Sequence, residues 1–256
     1  METMKTIIGG ILFVLLQWPI MLFAQDRELN IRKAEQFYAE AKFDSAVESY
    51  QKVLRAGYHS SELYYNLGNT YFKKNELAPA ILYFEKALKL NPGNENALFN
   101  LKLANSRIPD KIDALPLLFF VQWYIGLYNM FSVDYWAKIS IVLFAFFAAF
   151  SLLYFLGKNI RMRKSGFYFG LFSLLLFASS LFLTVKKNAS QQEQNQAIVF
   201  TNAVTVKSAP NTNGVDLFVI HEGTKLYIID KVGEWCEIKI ANGSVGWIEK
   251  KTIQLI

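Results

Sequence analysis

The sequence predicts a multidomain membrane protein made of an all-α repeat module, a two-helix transmembrane hairpin and a small all-β barrel. Three observations carry that prediction. Gly68, Tyr71, Ala80, Phe84 and Ala87 recur 34 positions earlier as Ala34, Phe37, Ala46, Tyr50 and Val53, with no gap. Two apolar runs, Ile139–Leu156 and Gly166–Val185, contain no Asp, Glu, Lys, Arg or His. Beyond Gln196, short alternating runs are punctuated by Asn213-Gly214, Glu222-Gly223, Val232-Gly233 and Asn242-Gly243.

The hairpin is the firmest element. A helix needs about 20 apolar residues to cross a hydrocarbon core. Both runs approach that length, and neither has the polar stripe of a helix half-buried in a soluble core. Transmembrane helices are therefore expected over 139–157 and 165–185. Between them, residues 158–164 carry Lys158, Arg161, Arg163 and Lys164 and no acid. Short Lys/Arg-rich loops stay in the cytoplasm, so the flanking regions are expected on the opposite side. The spans hold no ionisable residue, which argues against an ion or proton path. Gly166 and Gly170 form a small-xxx-small pattern suited to close helix packing.

The N-terminus agrees independently. Lys5 precedes an almost wholly apolar stretch, Ile7–Phe23, and then Ala24-Gln25-Asp26. Residues 1–24 read as a secretory signal cleaved after Ala24. Leu22 is bulky for a cleavage site, so an uncleaved anchor stays open; either exports the repeat segment.

Charge excludes a nucleic-acid role. The net charge is +6, and the basic link alone supplies +4, leaving the soluble regions nearly neutral with no basic stripe to track phosphates. The single cysteine, Cys236, forms no internal disulfide and alternates with Ile238 and Ile240 as a core residue. His59 and His221 lack neighbours at ligand spacing, so no metal and no cofactor is expected.

Residues 25–108 are expected to hold two repeats and a capping helix, Asn96–Ile108. Gly68 and Ala80 let two helices approach, Tyr71 and Phe84 fill the surrounding space, and Asn91-Pro92-Gly93 turns the chain. This pattern resembles the tetratricopeptide repeat. The resemblance implies a concave peptide-binding face of first helices, carrying Tyr38, Tyr65, Asn66, Asn69, Phe72, Lys73 and Phe99. Packing against the interfacial segment or the cap is the competing role for the aromatic residues. The version that clamps a peptide carboxylate is rejected, because Ile31, Glu35, Asn96 and Asn100 occupy its positions and only Asn66 matches.

Residues 109–138 are apolar but interrupted by Gln122, Gly126 and Asn129. A third span here would move the repeats to the cytoplasm, against the export signal. The Trp and Tyr content suits the headgroup boundary, so this segment reads as interfacial.

A polar linker is expected over 186–196, and five short strands over 197–256, with a hairpin at Asn242-Gly243. Val204–Pro210, Gly223–Leu226, Gly233–Trp235 and Gly246–Ile248 resemble a bacterial SH3 domain. Trp235, next to a turn, is the surface candidate for partner contact, and Trp247 reads as a core residue. Glu249 and Thr252 stand where polyproline-binding relatives have proline and tyrosine, so no polyproline groove is expected.

The full order of parts resembles the Bacteroides aerotolerance (Bat) family of envelope proteins. The resemblance implies a two-pass protein of the bacterial inner membrane with both soluble modules in the periplasm. It also implies partners among von Willebrand-type membrane proteins and a MoxR-type ATPase. No Ser-His-Asp, Cys-His, carboxylate-dyad or phosphate-loop arrangement is present, so an enzyme is not expected. A non-enzymatic scaffold is the leading expectation. Binding or sensing of peptidoglycan through the barrel is the alternative.

Overall fold

The computed structural model describes residues 26–113, 115–193 and 195–256. The expected signal segment lies outside the described residues. The chain opens with α1 (residues 26–39), followed by α2 (Phe43–Arg55), α3 (Ser61–Lys73), α4 (Leu77–Leu90) and α5 (Glu95–Asn105). Side-chain caps fix two of these starts. Leu63 N–H donates to Ser60 Oγ at 3.1 Å, and Ala97 N–H donates to Asn94 Oδ1 at 3.0 Å.

The helices pack as the period requires. Ala34, Ala46, Ala80, Phe84 and Ala87 are fully buried. A Cβ at Gly68 would lie 2.7 Å from the Phe84 ring, so that helix contact has no room for a methyl group. The period also recurs in the backbone. Ala41 and Asn75, again 34 residues apart, both take left-handed φ values of 58° and 63° in the turn between paired helices. Ala41 bears a steric penalty there that glycine avoids. Ala41→Gly is therefore expected to stabilise the chain by about 0.5–1 kcal/mol, read as a higher urea midpoint; a lower one would refute the strain.

After α5 the chain runs along the barrel to α6 (Phe119–Asn129) and then into the antiparallel pair α7 (Val133–Leu156) and α8 (Ile160–Gln192). Both of the latter are long and apolar enough to cross a membrane. Only 6% of the apolar window of α7 and 22% of that of α8 is buried, unlike core helices of a soluble protein. Their contact is built from small residues. A Cβ on Gly166 would lie 2.6 Å from Tyr154 N, Ser173 Oγ donates to Leu143 O at 2.9 Å, and the Ser140 and Ser180 hydroxyls meet at 2.9 Å.

Two boundaries differ from expectation. The basic segment is not a loop through Lys164: α8 begins at Ile160, so Arg161, Arg163 and Lys164 sit in its first turns. Nor is 186–196 wholly a linker. The helix continues through Gln192, because its Lys, Ala and Gln residues are good helix formers, and a strand starts at Gln196.

The C-terminal module is a sheet of seven antiparallel strands, not five: β1 (Gln196–Val199), β2 (Ala203–Lys207), β3 (Asp216–His221), β4 (Lys225–Val232), β5 (Trp235–Lys239), β6 (Val245–Glu249) and β7 (Ile253–Leu255). Their order is β3-β2-β6-β5-β4-β1-β7. Val206, Leu226, Cys236, Ile238 and Ile248 fill its core. The hairpin expected at Asn242-Gly243 joins β5 to β6, with Gly243 at φ 91°.

β1 binds the two soluble modules together. Ala197 and Val199 point into the barrel core, while Ile198 joins the repeat core with Ile81, Ile108 and Ile256. All three β1 side chains are fully buried. Polar contacts ring this apolar junction. Lys225 pairs with Glu85 at 2.7 Å. Asp110 accepts from His221 N–H at 2.7 Å and from the Thr224 hydroxyl at 2.6 Å, and its second oxygen lies 2.7 Å from His221 Nδ1.

Candidate partner-binding surfaces

The residues expected on the repeat face come from α1, α3 and α5. Tyr65, Asn69, Phe72 and Lys73 lie on α3 at helical spacings that place them along one side. Asn66 is half-buried beside them. Tyr38 comes from α1, where its ring meets Phe43 edge-on at 5.6 Å. Burial and the neighbouring Tyr65 push the Tyr38 hydroxyl above its ordinary pKa. Phe99, from α5, is 67% exposed.

Several of these side chains already have partners in the chain. Asn100 Nδ2 donates to Asn69 Oδ1 at 2.7 Å, tying α3 to α5. The Arg107 guanidinium sits 4.4 Å from the centre of the Phe72 ring, a cation–π contact. The Tyr65 ring packs 6.2 Å from Phe84. Lys73 and Phe99 remain outward and exposed. The face therefore has an ordered aromatic floor and two exposed groups. Arg107 is not legible in the sequence as part of it, because a basic residue after a helix looks like an ordinary C-terminal charge.

On the barrel, Trp235 is half-buried on β5, opposite Val232 and Glu249. Trp247 is expected in the core, and the structure corrects this. The buried positions of β6 are Gly246 and Ile248, so strand alternation sends Trp247 to the other face. Trp247 pairs with Glu237, two residues from Trp235 on β5, so both indoles share that outer face. One face thus presents two large amphipathic rings.

A third feature adjoins the hairpin. α6 has no buried residue, and Phe119, Phe120 and Trp123 are 68%, 56% and 76% exposed. At 11 residues it is about 17 Å long, half the length needed to span. Its C-terminal end is fixed by Lys187, which is 3% exposed and donates to Tyr128 O and Phe131 O, both at 2.7 Å.

Comparison with known proteins agrees with this division. The tetratricopeptide repeat family model matches residues 61–94, and the bacterial SH3 domain model matches residues 202–254. The chain carries both modules. Human tetratricopeptide repeat protein 6 is 37% identical over 62 residues, which is 24% of this chain and 12% of that protein. A Drosophila melanogaster BBSome complex member BBS4 homolog is 38% identical over 60 residues, 23% of this chain and 12% of that protein. The chain thus spans only about one-eighth of the length of either relative. The crystal structure of MamA protein aligns over 66% of this chain and 97% of its own at 16% identity, with a TM-score of 0.20. Repeats and bacterial SH3 domains bind proteins or cell wall and are typically non-catalytic.

Proposed function

We propose that this protein is a non-enzymatic, membrane-anchored scaffold whose repeats and barrel hold partners on one side of the bacterial inner membrane. The observation that carries this reading is the shared core across β1. Ile198 and Ile256 of the barrel pack with Ile81 and Ile108 of the repeats, so the two binding modules form one platform at one end of the hairpin. The apolar export segment and the basic turn favour the periplasm for that platform. α6, too short to span and apolar on its exposed sides, suits the headgroup boundary beneath it. The order of parts resembles that of BatE in the Bat family, which favours partners among von Willebrand-type membrane proteins and a MoxR-type ATPase.

Topology provides the direct test. In a Cys236→Ser background, an impermeant thiol reagent applied to intact spheroplasts is expected to label Ser190→Cys and not Asn159→Cys. The reverse pattern would place the platform in the cytoplasm and end the periplasmic reading.

The paired outer tryptophans favour a second reading, in which the barrel contacts peptidoglycan. Indole faces stack well on amphipathic ligands. Detergent-solubilised full-length protein should then sediment with purified sacculi, and Trp235→Ala with Trp247→Ala should abolish this. Protein that stays in the supernatant leaves the scaffold reading alone.

A further inference from the structure

A cavity of about 470 Å³ lies where α4, α6, α8 and β4 converge. Lys89, Lys187 and Lys225 line it, with Glu85 as the one carboxylate and with Tyr128 and Gln191 as polar neighbours. We propose that this cavity binds the phosphate of an anionic phospholipid headgroup. The inference rests on the membrane reading of α7 and α8.

Charge is the first argument. Three lysines and one acidic side chain, Glu85, line the cavity; Glu85 is engaged with Lys225 at 2.7 Å, and Lys89 donates to Glu193 O at 2.9 Å and Ile256 O at 3.1 Å. Lys187 is buried; its ammonium meets the Tyr128 and Phe131 main-chain carbonyls and lies 4.8 Å from the centre of the Tyr128 ring. These solvate its ammonium without neutralising it. An ammonium has three donors, and Lys187 uses two of them on these carbonyls. Burial, and then the neighbouring Lys225, hold the Lys89 ammonium below its ordinary pKa although Glu193 pulls the other way, so a further anion would compensate a desolvated charge. Lysine is a common phosphate ligand, acting as a point charge.

Depth is the second argument. Lys187 lies two residues beyond Val185, where the apolar run ends. From Lys187 to Gln191 the helix rises about 6 Å. The headgroup layer of each leaflet is about 5–8 Å thick, from the difference between total and hydrocarbon thickness. The cavity therefore lies at the level of the lipid phosphates. Leu88 and Leu98 line it too, giving an apolar wall for the glycerol and upper acyl carbons. A soluble phosphate would use the lysines alone.

The test uses full-length protein in an uncharged detergent, titrated with dihexanoyl-phosphatidylglycerol, dihexanoyl-phosphatidylcholine and inorganic phosphate, with binding read by native mass spectrometry. Phosphatidylglycerol is expected to bind at least tenfold more tightly than phosphatidylcholine or phosphate. Lys89→Gln and, separately, Lys225→Gln are each expected to weaken it about tenfold, the loss of one charged hydrogen bond. Lys251→Gln, an exposed charge elsewhere, should leave it unchanged. Circular dichroism on each variant confirms that the helices persist. Equal binding of the two lipids, or undiminished binding in both cavity variants, would overturn the proposal. Phosphate binding as tight as the lipid's would keep the anion site and overturn its lipid source. Flotation with phosphatidylcholine vesicles tests the hairpin separately. Protein that floats without headgroup selectivity sinks this proposal alone, whereas protein that fails to float sinks the membrane reading and the lipid source together.

Discussion

Gly68→Ala is expected to destabilise the repeats by about 1–3 kcal/mol, the usual cost of forcing carbon into a packed core. The sign makes this informative. Alanine in place of glycine inside an ordinary helix stabilises it by roughly 0.5–1 kcal/mol. At Gly68 the new Cβ would lie 2.7 Å from two carbons of the Phe84 ring, which is itself fully buried and has little room to move. Gly126 in α6 supplies the control, since a Cβ there meets nothing within 4 Å. Gly126→Ala should be neutral or stabilising. The measurement is the urea midpoint for tryptic cleavage within the repeats of the full-length protein in detergent. A midpoint for Gly68→Ala at or above the parent's would disprove the close α3–α4 contact. Ala80, on the facing helix and equally buried, should behave alike when enlarged to leucine.

That contact is legible in the sequence because it repeats. Gly68 and Ala80 stand out as small residues at fixed offsets from Tyr71 and Phe84, and one period fixes four helices. The hairpin is legible because lipid leaves a composition without charges. The strands carry less signal. β5 and the first half of β4 alternate, since one face is more buried than the other. β1 does not, because Ala197 and Val199 serve one core and Ile198 the other, so its periodicity vanishes and it reads as linker and barrel edge. β7, three residues long, is below the length at which alternation can be read.

Candidate surfaces obey the same rule. Tyr65, Asn69, Phe72 and Lys73 are readable because one helix orders them. Their contacts across helices, Asn100 and Arg107, depend on tertiary placement that spacing does not encode. Lys187 is hidden for a different reason. A lysine pair just past an apolar run is the common flank of a membrane helix, and nothing local says that one member turns inward to cap α6. The cavity, built from residues as distant as Lys89 and Lys225, has no one-dimensional signature at all.

Asp110→Ala is expected to separate the barrel from the repeats. The carboxylate accepts from His221 N–H at 2.7 Å and from the Thr224 hydroxyl at 2.6 Å, and its other oxygen lies 2.7 Å from His221 Nδ1. Thr224 is only 3% exposed. Truncation leaves its hydroxyl and the half-buried His221 N–H without their acceptor, and a buried hydroxyl left unpaired costs about 1–3 kcal/mol. Inter-domain contacts of modest size are often balanced within a few kcal/mol, so this loss is comparable to the whole docking energy. The Glu85–Lys225 pair reports the docked state, since its 2.7 Å separation permits a zero-length carbodiimide amide. That crosslink, quantified by mass spectrometry at pH 6, should fall several-fold in Asp110→Ala. An unchanged yield would mean that Ile81, Ile108 and Ile198 suffice to hold the modules together. The wild type should show the same loss in acid. Burial alone would raise the Asp110 pKa, but hydrogen bonds from Thr224 and His221 outweigh it and hold the carboxyl below its ordinary value. A carboxylate depressed in the folded state contributes stability above its unfolded pKa and loses it as pH falls through the folded one. Docking is thus expected to be complete at pH 5 and to weaken below about pH 4. Spin labels at Lys52→Cys and Lys239→Cys, in a Cys236→Ser background, should give one narrow distance at pH 5 and a broad one at pH 3. A narrow distance at both would show that the carboxylate does not hold the platform together.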